Sequence, residues 1–217
     1  MKRDRGGRKR ERRIAVREVA PYRYLIVCEG EETEPNYFEG IKKKIDAKYR
    51  RKIDVEIDGT GRNTESLVRY ALRIKTLSTL PYDKVWVVFD RDDFSPEQFN
   101  NAIIKAKDND LQVAWSNVAI ELWFVLHFDY LDSAIGRDQY IEKLHGYFSK
   151  HKINNGRYEK NLENTFDVFN EIGNVEEAIL RSKKLHQHHE EMGIVTDALK
   201  NPCTTVHELV EELLQYI

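Results

Sequence analysis

The chain has 217 residues, of which 41% are hydrophobic and 33% charged, a composition typical of a soluble globular protein with a well-solvated surface. No apolar run approaches the roughly 18 residues that a membrane-spanning helix needs, and residues 1–13 lack the apolar core of a secretory signal. Two cysteines, Cys28 and Cys203, are too few for a disulfide framework or a zinc knuckle. We therefore expect a cytoplasmic protein with no membrane association.

The formal net charge of −2 is unevenly distributed. Residues 1–13 hold eight lysines and arginines against two acids, a net charge of +6, so the remainder carries −8. We interpret residues 1–20 as a basic, flexible arm, which either contacts nucleic-acid phosphates or serves as a solubilising tail. The acidic body would repel phosphate unless a metal ion or a local basic surface offsets its charge.

Four segments predict β-strands. The first and the third in chain order are apolar throughout, which is typical of central strands covered on both faces. In the second, apolar and polar residues alternate, as they do in a half-exposed strand. The predicted strands are Tyr24–Cys28, Ile53–Ile57, Val85–Phe89 and Gln112–Trp115.

Helix signals separate these strands. A first helix begins near Thr33 with Pro35 in its first turn, a second runs from Asn63 or Thr64 to Pro81, and a third runs from Ser95 to about Lys107. The resulting β-α-β-α-β-α-β order predicts an α/β fold with a mostly parallel sheet and right-handed crossovers.

Strand signals fade after Asn117. The densely apolar segment Val118–Phe128 predicts a buried helix, and the polar segment 151–166 predicts a loop. Amphipathic helices are predicted at 138–150, 175–191 and Thr205–Ile217. We therefore divide the chain into the arm (1–20), an α/β core (21–130) and a helical C-terminal extension packed on the core (131–217).

Acidic residues follow two of the buried strands. Glu29 comes directly after the first strand, next to Gly30, and Asp90 and Asp92 end the third. Ligands of open parallel sheets bind outside the carboxyl ends of the strands, and residues i and i+2 of a strand face the same side. Carboxylate oxygens are the ligands that Mg²⁺ prefers, and clustered carboxylates repel one another without a cation. We predict a divalent-metal site at Glu29, Asp90 and Asp92 rather than solvated loop acids.

Two further acids are candidates to complete this site. Glu34 is expected in the first turn of a helix that faces the strand ends. Glu121 lies in an apolar helix start, where a buried acid needs a partner or a metal, although a hydrogen bond to backbone would also satisfy it. His127 is interpreted as a core histidine rather than a base, and His186, His188 and His189 as a solvated helix face.

Several basic residues are candidates for phosphate contacts. Arg62 and Arg91 lie near the predicted strand ends, and Arg157 and Lys160 flank Tyr158 in a second, looser patch. All of them are equally compatible with ordinary surface charge. Residues 59–63 could hold a phosphate at a helix N-terminus but lack the lysine and glycine spacing of a nucleotide-binding Walker loop.

Four ordered motifs resemble the RloB family, and together they cover nearly the whole chain. The motifs are CEGEETEPNYF at 28–38, FDRD at 89–92, SN at 116–117 continuing through ELW at 121–123 to LHF at 126–128, and NPCTTVHELV at 201–210. The basic leader before the first strand fits the same family.

The resemblance implies a TOPRIM-like, Rossmann-like fold, in which the metal acids are a Glu after one strand and an Asp-x-Asp after another. Glu29 and the pair Asp90 and Asp92 match those positions. It also implies a role in anti-phage defence or abortive infection, with an ATPase partner of the RloA type. TOPRIM enzymes that break strands covalently use a tyrosine elsewhere, and no tyrosine of this sequence can be assigned that role.

The leading functional hypothesis is hydrolysis of a DNA or RNA phosphodiester that depends on Mg²⁺ or Mn²⁺, with Glu34 or Glu121 completing the site or acting as general base. One alternative is a non-catalytic metal-binding effector or sensor that works with the ATPase partner, and another is nucleotidyl transfer of the primase kind. The oligomeric state is left open, with a homo-oligomer among the alternatives.

Overall fold

The sheet at the centre of the molecule has five strands. The computed structural model describes residues 22–49, 52–92 and 94–217, so the predicted basic arm lies outside the described residues. The strands are β1 (Tyr22–Cys28), β2 (Ile53–Gly59), β3 (Lys84–Asp90), β4 (Gln112–Asn117) and β5 (Cys203–Thr204). Their order across the sheet is β2-β1-β3-β4-β5; β1 to β4 run parallel, and β5 pairs antiparallel with β4.

Eight α-helices lie within the described residues. They are α1 (Thr33–Tyr49), α2 (Thr64–Leu77), α3 (Pro96–Lys107), α4 (Glu121–Leu126), α5 (Arg137–His151), α6 (Thr165–Ile172), α7 (Val175–Glu191) and α8 (Val206–Leu214). None of the described helices is long and apolar enough to cross a membrane.

The helices cover both faces of the sheet, because the central strands are apolar on both sides. Tyr24, Ile26 and Cys28 of β1 face a core formed with α1 and with α4 to α8, whereas Leu25 and Val27 face a second core formed with α2 and α3. This alternation gives three layers, helices on either side of a sheet. The predicted α/β, Rossmann-like class with a mostly parallel sheet is confirmed.

The helix predicted for Val118–Phe128 is shorter in the structure, where α4 spans only Glu121–Leu126. Both flanks close with tight i→i+3 hydrogen bonds, from the Leu122 amide to the Ala119 carbonyl and from the His127 amide to the Phe124 carbonyl. Apolar residues continue beyond α4 because the segment crosses the core, so hydrophobicity alone overestimates the length of the helix.

Three further features of the secondary structure differ from the prediction. Helix α2 ends at Leu77, four residues before Pro81, with Ser78 as its C-cap. The predicted loop at 151–166 contains a short 3₁₀ turn at Asn154–Gly156, and α6 begins at Thr165. Strand β5 is not among the predicted strands, because two residues carry no alternation that a sequence pattern could reveal.

The interpretation of the α7 histidines as a solvated face is wrong for His189 and in part for His186. His189 is buried, with its Nε2 2.9 Å from the Pro202 carbonyl oxygen. His186 is half-buried, and its Nδ1 lies 3.7 Å from the Cys203 sulfur. The segment that leads into β5 covers this helix, and such a long-range contact leaves no signature in the helix itself.

His127 is a core histidine, as predicted, and its hydrogen-bond partners determine which ring nitrogen carries the proton. It is 2% exposed; its Nδ1 lies 3.0 Å from the Trp123 carbonyl oxygen, and its Nε2 lies 3.4 Å from the Tyr37 hydroxyl. A carbonyl only accepts hydrogen bonds, so Nδ1–H donates to Trp123 and Nε2 can accept from Tyr37. Burial lowers the pKa of His127 to about 4, since the imidazolium would lose its hydration.

This burial predicts an acid-sensitive contribution to stability. The neutral ring is favoured in the folded state, so its contribution is present above pH 6.5 and is lost as pH falls toward 4, about 3 kcal/mol over that window. The unfolding free energy of wild type should fall in this window relative to that of His127→Gln, whereas the exposed His151→Gln control should parallel wild type. The assignment of a buried, neutral His127 would be contradicted if the unfolding free energy of His127→Gln depended on pH as that of wild type does. It would also be contradicted if NMR of the ring protons in wild type gave a pKa near 6.5 for His127.

Candidate active site

The predicted acids lie together at the carboxyl edge of the sheet, because β1 and β3 are neighbours. Glu29 follows the last residue of β1, and its amide donates to the Val88 carbonyl of β3 at 2.9 Å. Asp90 is the last residue of β3 and pairs in register with Ser116 of β4. The acids that end the first and third strands therefore lie next to each other at the carboxyl edge of the sheet, as the sequence predicted.

These acids line an open cleft of about 540 Å³. The charged residues of its wall are mostly acidic and come from the ends of β1 and β3, from α1, and from the C-terminal half of the chain. They are Glu29, Glu31, Glu32, Glu34, Asp90, Asp92, Glu121, Arg137 and Lys160. Seven carboxylates against two cations make the cleft strongly negative.

Asp90 and Asp92 converge, but not for the reason that the sequence suggested. Strand β3 ends at Asp90, and Asp92 lies in a turn with φ 42°, so the i, i+2 rule of strands does not apply to it. The turn nevertheless brings both carboxylates to the guanidinium of Arg137, whose Nη2 lies 3.5 Å from Asp90 Oδ2 and 3.0 Å from Asp92 Oδ2. Arg137 therefore marks the point on which the two aspartates converge.

Glu34 and Glu121 are both buried in the wall of the cleft. Glu34 is in the first turn of α1, as predicted, and a Cβ at Gly30 would overlap its Oε2. Gly30 is thus required for the close approach of the Glu34 carboxylate to the backbone. Glu121 opens α4, its side chain is 2% exposed, and its Oε1 lies 3.6 Å from Lys160 Nζ.

Burial, together with repulsion between neighbouring carboxylates, raises the pKa of three members of the site. Burial, followed by the charge of Glu34, raises the pKa of Glu29 to about 7. Burial also raises the pKa of Glu34, with repulsion from Glu121, and the pKa of Asp90 well above its ordinary value, with repulsion from Glu34 and Glu121. Joint ionisation of these carboxylates is therefore disfavoured in the protein alone, and a bound divalent cation would favour their charged forms.

The four predicted phosphate-binding residues take different positions. Lys160 lines the cleft, whereas Arg91 turns inward and donates from Nη1 to the Ala198 carbonyl at 2.9 Å. Arg157 is exposed and does not line the cleft. Arg62 is exposed beside Gly61, which does line the cleft, and its guanidinium lies over the ring of Tyr70.

Arg137, the residue that contacts both aspartates, is not among the predicted site residues. It is the first residue of α5, 45 positions after Asp92, where a charged side chain ordinarily faces solvent. Its preceding N-cap, Gly136, is a helix-start signal, but nothing local indicates that the start of α5 points toward the end of β3. Only the tertiary fold reveals its role.

The donor set of the cleft fits a hard divalent cation. The side chains available are carboxylates, and neither histidine nor cysteine occurs among the residues that line the cleft. Across residues 22–49, 52–92 and 94–217, however, no three His, Cys, Asp or Glu side chains stand close enough to form a ready-made metal-binding group. Metal binding would therefore require these carboxylates to draw together, with Arg137 giving up contacts to Asp90 and Asp92.

Fold and site together define a Rossmann-like α/β protein with an acidic cleft at the carboxyl edge of a mostly parallel sheet. The sequence profile described as RloB-like protein matches residues 24–213, and the chain belongs to that family. No curated protein and no solved structure matches the chain significantly. Family membership confirms the resemblance inferred from the four motifs.

Proposed function

We propose that this protein hydrolyses nucleic-acid phosphodiesters with the help of Mg²⁺ or Mn²⁺, acting in anti-phage defence. The observation that carries the proposal is that Glu29, Asp90 and Asp92, at the ends of two adjacent buried strands, line one open cleft that also holds Arg137 and Lys160. Carboxylates supply ligands for a cation, and the two basic side chains supply partners for a phosphate. The TOPRIM-like resemblance supports the same class of chemistry, and the chain belongs to the RloB-like family on which that resemblance rests.

Glu29, Asp90 and Asp92 would hold the cation. When bound, the ion would polarise the phosphate and lower the pKa of a water molecule. Arg137 is well placed to change partners, because its guanidinium contacts the carboxylates that a cation would engage. Released from them, it would bind a phosphate oxygen and stabilise the charge that develops during hydrolysis.

Glu34 and Glu121 are the candidates for proton transfer. Both carboxylates lie in the wall of the cleft, and burial, with repulsion from Glu121, raises the pKa of Glu34 above its ordinary value, which favours a carboxyl group that takes up and releases a proton. Lys160, which lines the cleft and pairs with Glu121, would orient the substrate phosphate.

Purified protein should be tested on single-stranded and double-stranded DNA and RNA, with Mg²⁺ or Mn²⁺, alone and with the expected RloA-type ATPase partner. Metal-dependent cleavage that stops with EDTA is the expected result. Failure to cut any of these substrates under every condition would overturn the proposal. A crystal soaked with Mn²⁺, examined by anomalous scattering, would identify the metal ligands independently of activity.

A second candidate function is that of a non-catalytic effector or sensor that works with the ATPase. The pairing of Arg137 with both aspartates favours it, because in this arrangement the guanidinium is engaged by the protein's own acids rather than held free for a substrate phosphate. A stable complex with the ATPase, without nuclease activity, would support this alternative.

A further inference from the structure

Helix α2 and the residues just before it carry three arginines, which we call the α2 arginine stripe: Arg62, just before the helix, with Arg69 and Arg73. Together with Ser66 and Tyr70 they line a shallow groove of about 280 Å³. Positions 62, 66, 69 and 73 recur every three or four residues, so they lie on one face of the helix. The stripe is therefore a continuous basic surface on a predominantly acidic body.

The three arginines of the stripe form no ion pair with a described carboxylate. By contrast, Arg23, Arg137 and Arg181 each lie within 4 Å of an acid. Arg69 and Arg73 are one helical turn apart, where like charges destabilise a helix by a few tenths of a kcal/mol. The spacing thus disfavours the isolated helix slightly and suits an anionic ligand.

Arg62 is held in place by its neighbours. Its guanidinium carbon lies 4.3 Å from the centroid of the Tyr70 ring, and the Tyr70 hydroxyl donates to Asp58 Oδ2 at 2.8 Å. The backbone amide of Arg62 donates to Thr60 Oγ1 at 3.2 Å. The Asp58–Tyr70–Arg62 stack fixes the end of the stripe nearest the cleft, which reduces the entropy that Arg62 loses on binding a ligand.

The stripe is continuous with the candidate active site. Gly61, adjacent to Arg62, lines the acidic cleft, and Thr64 at the start of α2 places its hydroxyl 3.5 Å from Glu29 Oε2. From Thr64, at the start of α2, to Arg73 the helix rises about 14 Å, at about 1.5 Å per residue. A strand whose phosphate enters the cleft can therefore continue along α2.

We propose that the α2 arginine stripe binds the sugar-phosphate backbone of a nucleic-acid strand and guides it into the cleft. Guanidinium groups bind phosphate oxygens in a bidentate manner, and a row of them matches a polyanion with regularly spaced charges. The inference rests on the proposed function for the identity of the ligand. It adds Arg69 and Arg73 as binding residues.

The test compares wild type with Arg69→Ala/Arg73→Ala, both as the full chain with its basic N-terminal segment. Binding of a fluorescein-labelled 20-nucleotide RNA, and of DNA of the same sequence, is measured in EDTA at several salt concentrations. We expect about tenfold weaker binding in the variant and a slope of log K against log salt that is shallower by about 1.4, the value for two lost phosphate contacts to a single strand. The matched control Lys107→Ala/Lys150→Ala removes two exposed charges elsewhere and should bind as wild type does.

Three results would overturn the inference: no binding by wild type, an unchanged salt slope in the stripe variant, or equal displacement of the oligonucleotide by polyglutamate at matched charge. Cleavage is assayed separately with Mg²⁺, so the two proposals fail independently. If the arginines of the stripe are needed for binding but no cleavage occurs, the nuclease proposal is refuted and the stripe proposal stands. If cleavage occurs and the stripe variant changes neither KM nor kcat, the stripe proposal is refuted and the nuclease proposal stands.

Discussion

Replacing Asp90 by asparagine is expected to abolish nucleic-acid cleavage, with a loss of at least about 100-fold in kcat/KM. Asp90 ends the central strand β3 and is 8% exposed, so the amide occupies nearly the same volume and the fold should be kept. The amide cannot supply the negative charge that a divalent cation requires. The loss is measured as metal-dependent cleavage of whichever substrate wild type cuts.

The same substitution should stabilise the metal-free protein. Burial and repulsion from Glu34 and Glu121 raise the pKa of Asp90, so its charged form is disfavoured in the folded state at neutral pH. Urea denaturation in EDTA should show a higher unfolding free energy for Asp90→Asn. Added Mg²⁺ should stabilise wild type, by about 2.7 kcal/mol at 100 times its dissociation constant, and should not stabilise Asp90→Asn.

The exposed acid Asp108, at the end of α3, provides a matched control. Asp108→Asn should retain cleavage and the stabilisation by Mg²⁺. An Asp90→Asn protein that cleaves within a few-fold of wild type would rule out a role for this carboxylate in metal binding. Lower stability of that variant in EDTA would contradict the electrostatic argument.

Replacing Arg137 by glutamine is expected to reduce cleavage by about 100- to 1,000-fold, mainly in kcat, because its guanidinium would stabilise charge that develops on the phosphate. The variant should also be less stable without metal, by about 1 to 3 kcal/mol, since Asp90 and Asp92 lose their common partner. The lower part of that range is favoured by the partial exposure of Arg137 and by the ability of Asp90 to take up a proton.

Arg137→Lys separates the catalytic role from the structural one. Lysine keeps the positive charge and should restore most of the stability, but it lacks the planar fork of the guanidinium and should restore only part of kcat. Lys150→Gln, at the exposed far end of the same helix, is the charge-matched control. If Arg137→Lys regains stability and activity in equal measure, the role of Arg137 is structural alone.

The strand ends are predictable from the sequence because their signals are local. Each fully apolar run is short and stops at an acid, and a parallel sheet forces such ends to one edge, so the sequence alone places Glu29 and Asp90 together. Glu34 is placed by its position in the first turn of α1. These inferences depend only on residues within a few positions of each strand.

The basic half of the cleft cannot be predicted in the same way. Arg137 and Lys160 come from the start of α5 and from a polar segment far along the chain, and long-range packing alone brings them to the acids. Helix α6 escapes prediction for a related reason, since no side chain caps its start and its buried residues pack against α1 rather than forming a long pattern. The division of the chain into a core and a C-terminal extension stays a prediction.

Strand β5 has a consequence for how the chain folds during synthesis. Thr204 pairs with Ser116, so 88 residues separate the two partners at the edge of the sheet. Pairing of such distant residues is slow, because a long loop must close before the contact forms. The chain must therefore be synthesised through Thr204 before this edge of β4 is covered, and until then the edge is open to strands of other nascent chains.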